Sequence, residues 1–141
     1  MFFSLDDRME LESALLNASY KTTAEIRIRV DKKAGRDPLS SARRSFTELG
    51  LKNNPARNNV LFYISVFDRK FAVFGDDEIN KKVSPEFWET VKKAVVAKFS
   101  EREFKIGLLG AIAIVAEKLS ENFPDEKIDM KENPESITFE G

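Results

Sequence analysis

Residues that could do chemistry fall into a few short groups along the chain. Asp68-Arg69 follows an apolar run, and Asp76, Asp77 and Glu78 come soon after, behind Gly75. Carboxylates and carbonyls are the ligands that hard cations such as calcium and magnesium take. A cation held at Asp68, or at Asp76 and Asp77, would neutralise a phosphate and activate water. Arg69, or Arg57 in the loop before the apolar run, would steady phosphoryl oxygens. Glu25 heads an earlier strand pattern, as an inward-pointing ligand, a buried partner for an Arg, or a plain exposed residue. Plainer alternatives stay open for the others too. Asp68 suits a turn for backbone reasons, and Asp76-Asp77-Glu78 suits a solvated acidic turn. Lys32, Lys33, Arg36, Arg43 and Arg44 read most simply as a solvated face.

Whole classes of chemistry are excluded. The chain contains no histidine and no cysteine. That removes His-based triads, thiolate nucleophiles, disulfides, zinc sites of the usual kind and iron–sulfur clusters. GxSxG, GxGxxG and the phosphate-binding GxxxxGK[ST] are missing, as is the calcium-loop pattern of alternating acids around a central Gly. Gly107-Leu108-Leu109-Gly110 has the wrong neighbours for phosphate and reads as close helix packing.

The 141 residues make about one domain, and twelve Phe argue against disorder. A formal net charge of −1 supplies no field for nucleic acid. Asp6, Asp7 and Arg8 follow Met1-Phe2-Phe3 at once, so no signal-peptide core is read. The apolar run from Ile106 to Ala116 would rise about 16 Å as a helix, half of a membrane's roughly 30 Å core. The expectation is a cytoplasmic monomer with no membrane span and no nucleic-acid partner.

These side chains must be positioned by the following elements. Leu5 to Ala18 reads as an amphipathic helix with apolar residues at 5, 9, 15 and 16, capped by Ser4 and Asp7. Ala24 to Val30 alternates with a period of two, as a strand does. Asp37-Pro38 opens a second helix whose inner face is Leu39, Ala42, Phe46 and Leu49, and Gly50 ends it in left-handed backbone. Val60 to Phe67 is nearly all apolar and β-branched or aromatic, the pattern of a central strand buried on both faces. Asp68-Arg69 then turns the chain into Lys70 to Phe74, a hairpin partner. In a regular hairpin Asp68 and Asp76 sit at opposite ends, about 17 Å apart. Gly75 to Asn80 is an acidic turn. Ser84-Pro85 opens a helix with Phe87, Val91, Ala94, Val95 and Phe99 inward, and a last, mostly apolar helix runs from Phe104 to about Phe123. Residues 1–124 form one α/β domain. The polar tail, 125–141, is read as loose, with Ser136 to Phe139 able to dock as an edge strand.

The order of these pieces resembles the TPM domain, the family of the thylakoid acid phosphatase and photosystem II repair proteins, in a short bacterial form. The stretches that carry the resemblance are TTAEIRIRV, FTELGL, NNVLFYISVFDRKFAVFGDDEIN and the two helices from PEFWETVKK to SENFP. It implies a three-layer α/β/α sandwich around a small mixed β-sheet. It also implies weak phosphatase activity, with calcium or magnesium as the cofactor. Carried over by position, Asp68 and Arg69 become the catalytic candidates, and Glu25, Asp68, Asp76 and Asp77 the metal candidates. Asn58-Asn59 departs from the Asn-Gly that family members carry before the central strand. Two functions compete: a divalent-cation-dependent phosphoester hydrolase, and a non-catalytic, cation-responsive module that binds or assembles with a protein partner.

Overall fold

Every residue from Val60 to Ser65 is buried, so β2 (Val60–Ser65) must lie inside a sheet covered on both faces. In the computed structural model, which describes residues 3–34, 37–125 and 137–139, it does. β1 (Ile26–Asp31) pairs with it in parallel and β3 (Lys70–Gly75) antiparallel, while β4 (Ile137–Phe139) adds in parallel to the far side of β1. The strand order is β3-β2-β1-β4.

The period-two pattern of β1 sends Ile26, Ile28 and Val30 into the larger core. There they meet α1 (Leu5–Ser19), α4 (Pro85–Ser100) and α5 (Phe104–Asn122). The opposite face carries α2 (Pro38–Glu48) and one 3-10 turn (Leu51–Asn53), with Ala42 against Tyr63 and Phe46 and Leu51 against Leu61. The result is the three-layer α/β/α sandwich with a mixed sheet. The Ser4–Asp7 capping box, the Asp37 cap with Pro38 behind it, and left-handed Gly50 (φ 73°) all form as expected.

Several details differ from the sequence expectation. The inner stripe of α1 is Leu11, Leu15 and Ala18, whereas Leu5 and Met9 are 68% and 58% exposed. At 3.6 residues per turn those two lie roughly 120–160° round the helix from Leu11. In α2, Leu39 faces outward, and the buried set is Ser41, Ala42, Ser45 and Phe46. Ala94 is exposed beside the Val91–Val95–Phe99 stripe of α4. Gly107 is a close-packing site, since a Cβ there would stand 3.1 Å from Lys98, but nothing lies within 4 Å of such a Cβ on Gly110. The acidic turn is instead the start of a short helix, α3 (Asp77–Lys82), capped by Asp76. The chain's last described stretch does dock as an edge strand, β4. Residues 126–136 and 140–141 of the tail, and the candidate Arg36, lie outside the described residues. Among the described residues no helix is long and apolar enough to cross a membrane.

Candidate functional site

The candidate residues separate to the two ends of the sheet. At the hairpin end, the last pair is Ser65 with Lys70, and the chain turns through 66–69. Arg69 takes a left-handed conformation there (φ 51°) and its side chain faces solvent. The Asp68 carboxylate accepts from the Ser65 hydroxyl (2.7 Å) and from the Ala34 N–H (3.0 Å), tying the hairpin to the loop after β1. Those two bonds, the hydroxyl's foremost, hold its carboxyl below the usual carboxylate range, with Lys70 and Lys33 adding to the effect.

At the other end, three polar residues precede β2. Buried Asn59 accepts from the Glu25 N–H (2.9 Å) and donates to the Leu51 carbonyl (3.2 Å). Buried Asn58 donates to the Thr23 hydroxyl (3.2 Å). The side chain at position 59, where the resemblance leads one to expect Gly, is thus a clamp between β1 and the 3-10 turn. Arg57, also left-handed (φ 51°), forks onto Asp76: Nε donates to Oδ2 at 2.8 Å and Nη2 to Oδ1 at 2.9 Å. Nη2 also reaches Asp77 at 3.2 Å, and the Asp77 N–H donates to Asp76 Oδ1 at 2.8 Å. Asp76 is only 3% exposed. Burial by itself pushes its carboxyl up, but Arg57, the Asp77 N–H and Lys52 outweigh it and hold the group below its ordinary value.

The structure therefore brings Glu25, Arg57, Asp76 and Asp77 to one end of the sheet and leaves Asp68 and Arg69 at the other. The six residues of β3 separate the two groups, a rise of roughly 17 Å. Within the first group, the Glu25 carboxylate pairs with Arg27 (3.6 Å), both oxygens of Asp76 are engaged, and the Asp77 side chain is 72% exposed. Among the described residues no three acidic side chains gather into a cluster able to hold a metal ion.

Two features escaped the sequence reading. On the α2 face, the Tyr63 hydroxyl donates to Asp31 (2.8 Å), and Arg29 Nε donates to the same carboxylate (2.6 Å). Burial, then the Asp31 hydrogen bond and charge, push the Tyr63 phenol up to about 12. The strand pattern read from the sequence ends at Val30; in the structure β1 extends to Asp31, which puts Arg29 and Asp31 on one face, and their partner comes from β2. The second feature is a groove of about 660 Å³ that runs along β3 between α2 and α4. Its floor is an edge strand, visible only once the strand order is known.

A family model named TPM phosphatase, described as the TPM domain, matches residues 1–118. This chain belongs to the TPM domain family. The TPM resemblance drawn from the sequence is thereby confirmed. Among solved structures, the chain is similar to the BA42 protein of the psychrophilic bacterium Bizionia argentinensis, with 31% identity and a TM-score of 0.89 over 99% of this chain and 97% of that one. The N-terminal domain of a P. gingivalis protein shares the fold at 14% identity and a TM-score of 0.70, covering 86% of this chain and 79% of that one. The N-terminal domain of the cg2496 protein of Corynebacterium glutamicum does so at 13% and 0.66, covering 94% and 82%. No curated protein matches the sequence at a significant level.

Proposed function

We propose that this TPM domain is a non-catalytic binding module whose cation-responsive element is the Asp76–Asp77 pair. One observation carries the proposal. Carboxylates and an arginine do meet at the Asp76 end, but both Asp76 oxygens are taken by Arg57. Asp68, at the other end of β3, is held by Ser65 and Ala34, so neither group offers two uncommitted carboxylates for metal-assisted phosphoryl transfer. The donors at the Asp76 end are right in kind for calcium or magnesium, since both prefer carboxylate oxygen. One of them, Asp77, is exposed, and the other is held by Arg57. An ion entering at Asp77 competes with the guanidinium for Asp76. Because Asp76 caps α3 and its N–H bonds the Asn59 carbonyl (3.0 Å), release of Arg57 would be felt in α3 and at the head of β2. The expectations of a cytoplasmic monomer that meets a protein partner, not nucleic acid, belong to this proposal.

The competing reading, a weak divalent-cation-dependent phosphoester hydrolase using Asp68 and Arg69, is favoured by the name of the matching family model. One experiment separates the two. Calcium and magnesium are titrated into the labelled chain while amide shifts are followed, and p-nitrophenyl phosphate turnover is measured in the same samples. The module predicts saturable shifts at Arg57 and across Asp76–Lys82 without turnover. Turnover that survives further purification and disappears in Asp68→Asn and Asp76→Asn replaces it with the hydrolase. Amides unmoved at millimolar metal end the cation-responsive part.

A further inference from the structure

Among the described residues β3 has a strand neighbour on one side only. The Asp76 N–H donates to the Asn59 carbonyl at 3.0 Å, so residues 59 and 76 form a hydrogen-bonded pair continuous with the β2–β3 register. In an antiparallel ladder such pairs alternate with pairs whose backbone groups point outward. Lys70, Ala72 and Phe74 therefore bond β2, and the N–H and C=O of Phe71, Val73 and Gly75 face the outer edge. An independent contact agrees: the Gly75 carbonyl accepts from the Asn80 side chain (2.7 Å), which in turn accepts from the Trp88 indole N–H (2.8 Å). That end of the edge is stoppered. The Phe71–Val73 stretch has no such cover among the described residues, and it floors the groove. Unpaired edges template further strands unless charge or cover prevents it.

The walls of the groove indicate what kind of strand would fit. Leu39 of α2 and Val96 of α4 are exposed apolar side chains, 43% and 46% open, one on each wall. Side chains of an added strand alternate between the two walls. Arg43, Arg69, Lys70 and Lys92 also line the groove, against only Asp37 and Glu89. None of those four cations forms an ion pair with a described residue, while Asp37 is occupied in capping α2. We propose that the outer edge of β3 takes an extended acidic peptide segment of a partner protein as a fifth strand of the sheet. Backbone pairing would supply affinity, and the basic walls would select acidic over basic segments. The inference rests on the binding-module reading and names its partner class.

The test uses the full chain and a seven-residue peptide of alternating Glu and Val, with a Lys-Val peptide as control. Trp88 is the only tryptophan and lines the groove, so its emission reports binding. The expected result is saturation with the acidic peptide and at least tenfold weaker binding of the basic one. The largest amide shifts and gained exchange protection should fall at Phe71 and Val73. The exposed charge reversal Lys92→Glu should weaken binding with an unchanged thermal melt, and adding Arg43→Glu should bring the loss to at least tenfold. No saturation at millimolar acidic peptide, equal binding of both peptides, or shifts centred elsewhere would overturn the inference. So would concentration-dependent dimerisation through the same amides, which assigns the edge to a second copy. A failed peptide titration with an intact metal response removes the groove and leaves the module, whereas phosphoester turnover removes the module.

Discussion

Asp76→Asn keeps the shape of the side chain and its capacity to cap α3, and removes its charge. Asp76 is 3% exposed and takes both prongs of Arg57 at 2.8 and 2.9 Å. Asparagine offers one oxygen and one NH2 in their place, so one guanidinium N–H faces another donor. Hydrogen bonds to charged groups contribute about 1.5–3 kcal/mol, and one-sided loss of a fully buried ion pair costs about 3–5 kcal/mol. The Arg57 side chain is 34% exposed, which lets water take up part of the stranded charge. The expected loss for Asp76→Asn is therefore about 2–3 kcal/mol, or about 5–10 °C in Tm for a domain of this size. Urea unfolding followed by circular dichroism at pH 7 measures it. The sign with pH follows from the depressed carboxyl of Asp76. Its contribution is complete above the unfolded value of about 4 and is lost as pH falls through the folded one. The gap between parent and variant must then narrow in strong acid. Equal stability at pH 7, or a gap that does not change with pH, would refute the assignment of Arg57–Asp76 as the clamp at this end of the sheet.

Other expected outcomes follow from single contacts. A Cβ on Gly75 would stand 2.6 Å from the Trp88 ring and 2.8 Å from Ile79, so Gly75→Ala should cost about 1–3 kcal/mol by overpacking and shift the Trp88 emission. Tyr63→Phe removes the bond to Asp31 and should cost about 1.5–3 kcal/mol in urea unfolding at pH 7. With the Tyr63 phenol raised to about 12, that site's contribution is full below pH ~10 and fades as pH rises through the folded value; ultraviolet titration of a Tyr20→Phe variant reads it directly. Asp68→Asn should lower the exchange protection factor of the Ala34 amide at constant pH, and protonating the depressed Asp68 carboxyl of the parent should lower that factor, relative to the intrinsic rate at the same pH, in the same way.

Elements were legible in the sequence wherever one local rule decided them. The mostly apolar run from Val60 to Phe67 announced β2, which ends at Ser65, alternation announced β1, and Ser4–Asp7 and Asp37-Pro38 announced two helix starts. The hairpin separated Asp68 from Asp76 as its regular register required. What stayed hidden depended on partners distant in sequence. Arg57 and Asp76 are 19 residues apart, and no spacing rule joins a loop arginine to a helix cap. Tyr63 and Asp31 meet because β1 and β2 are adjacent and in register, with Asp31 opposite Ser65. The face of α1 was misjudged because Leu5 and Met9 are apolar yet exposed, which is common for single apolar residues on a surface.

Where a ligand meets this domain can be argued from which polar groups already have structural work. Asp76, Asn58 and Asn59 hold strands, turn and helix together, and Asp68 ties the hairpin to the neighbouring loop. Recruiting any of them for a ligand first breaks a bond the fold uses, so a ligand there acts as a switch on the fold. The β3 edge is the opposite case. The outward backbone groups of Phe71 and Val73 and the side chain of Lys92 have no such work among the described residues, and Arg43 only lies over the Phe74 ring at 5.8 Å, so a strand that docks there breaks no hydrogen bond or ion pair of the fold. The proposed switch at the Asp76 end and the proposed dock along β3 would moreover be connected. Gly75, the last residue of the edge strand, precedes the clamped Asp76, and its carbonyl is held by Asn80 of the helix that Asp76 caps. A cation that displaces Arg57 from Asp76 must therefore act on the stoppered end of the groove. If so, magnesium or calcium at saturating concentration will change the affinity of the acidic peptide, and the peptide will change the affinity of the metal by the same factor, as linkage requires. Two titrations in the presence and absence of the other ligand measure both factors, and a factor of one in each would show that switch and dock are uncoupled.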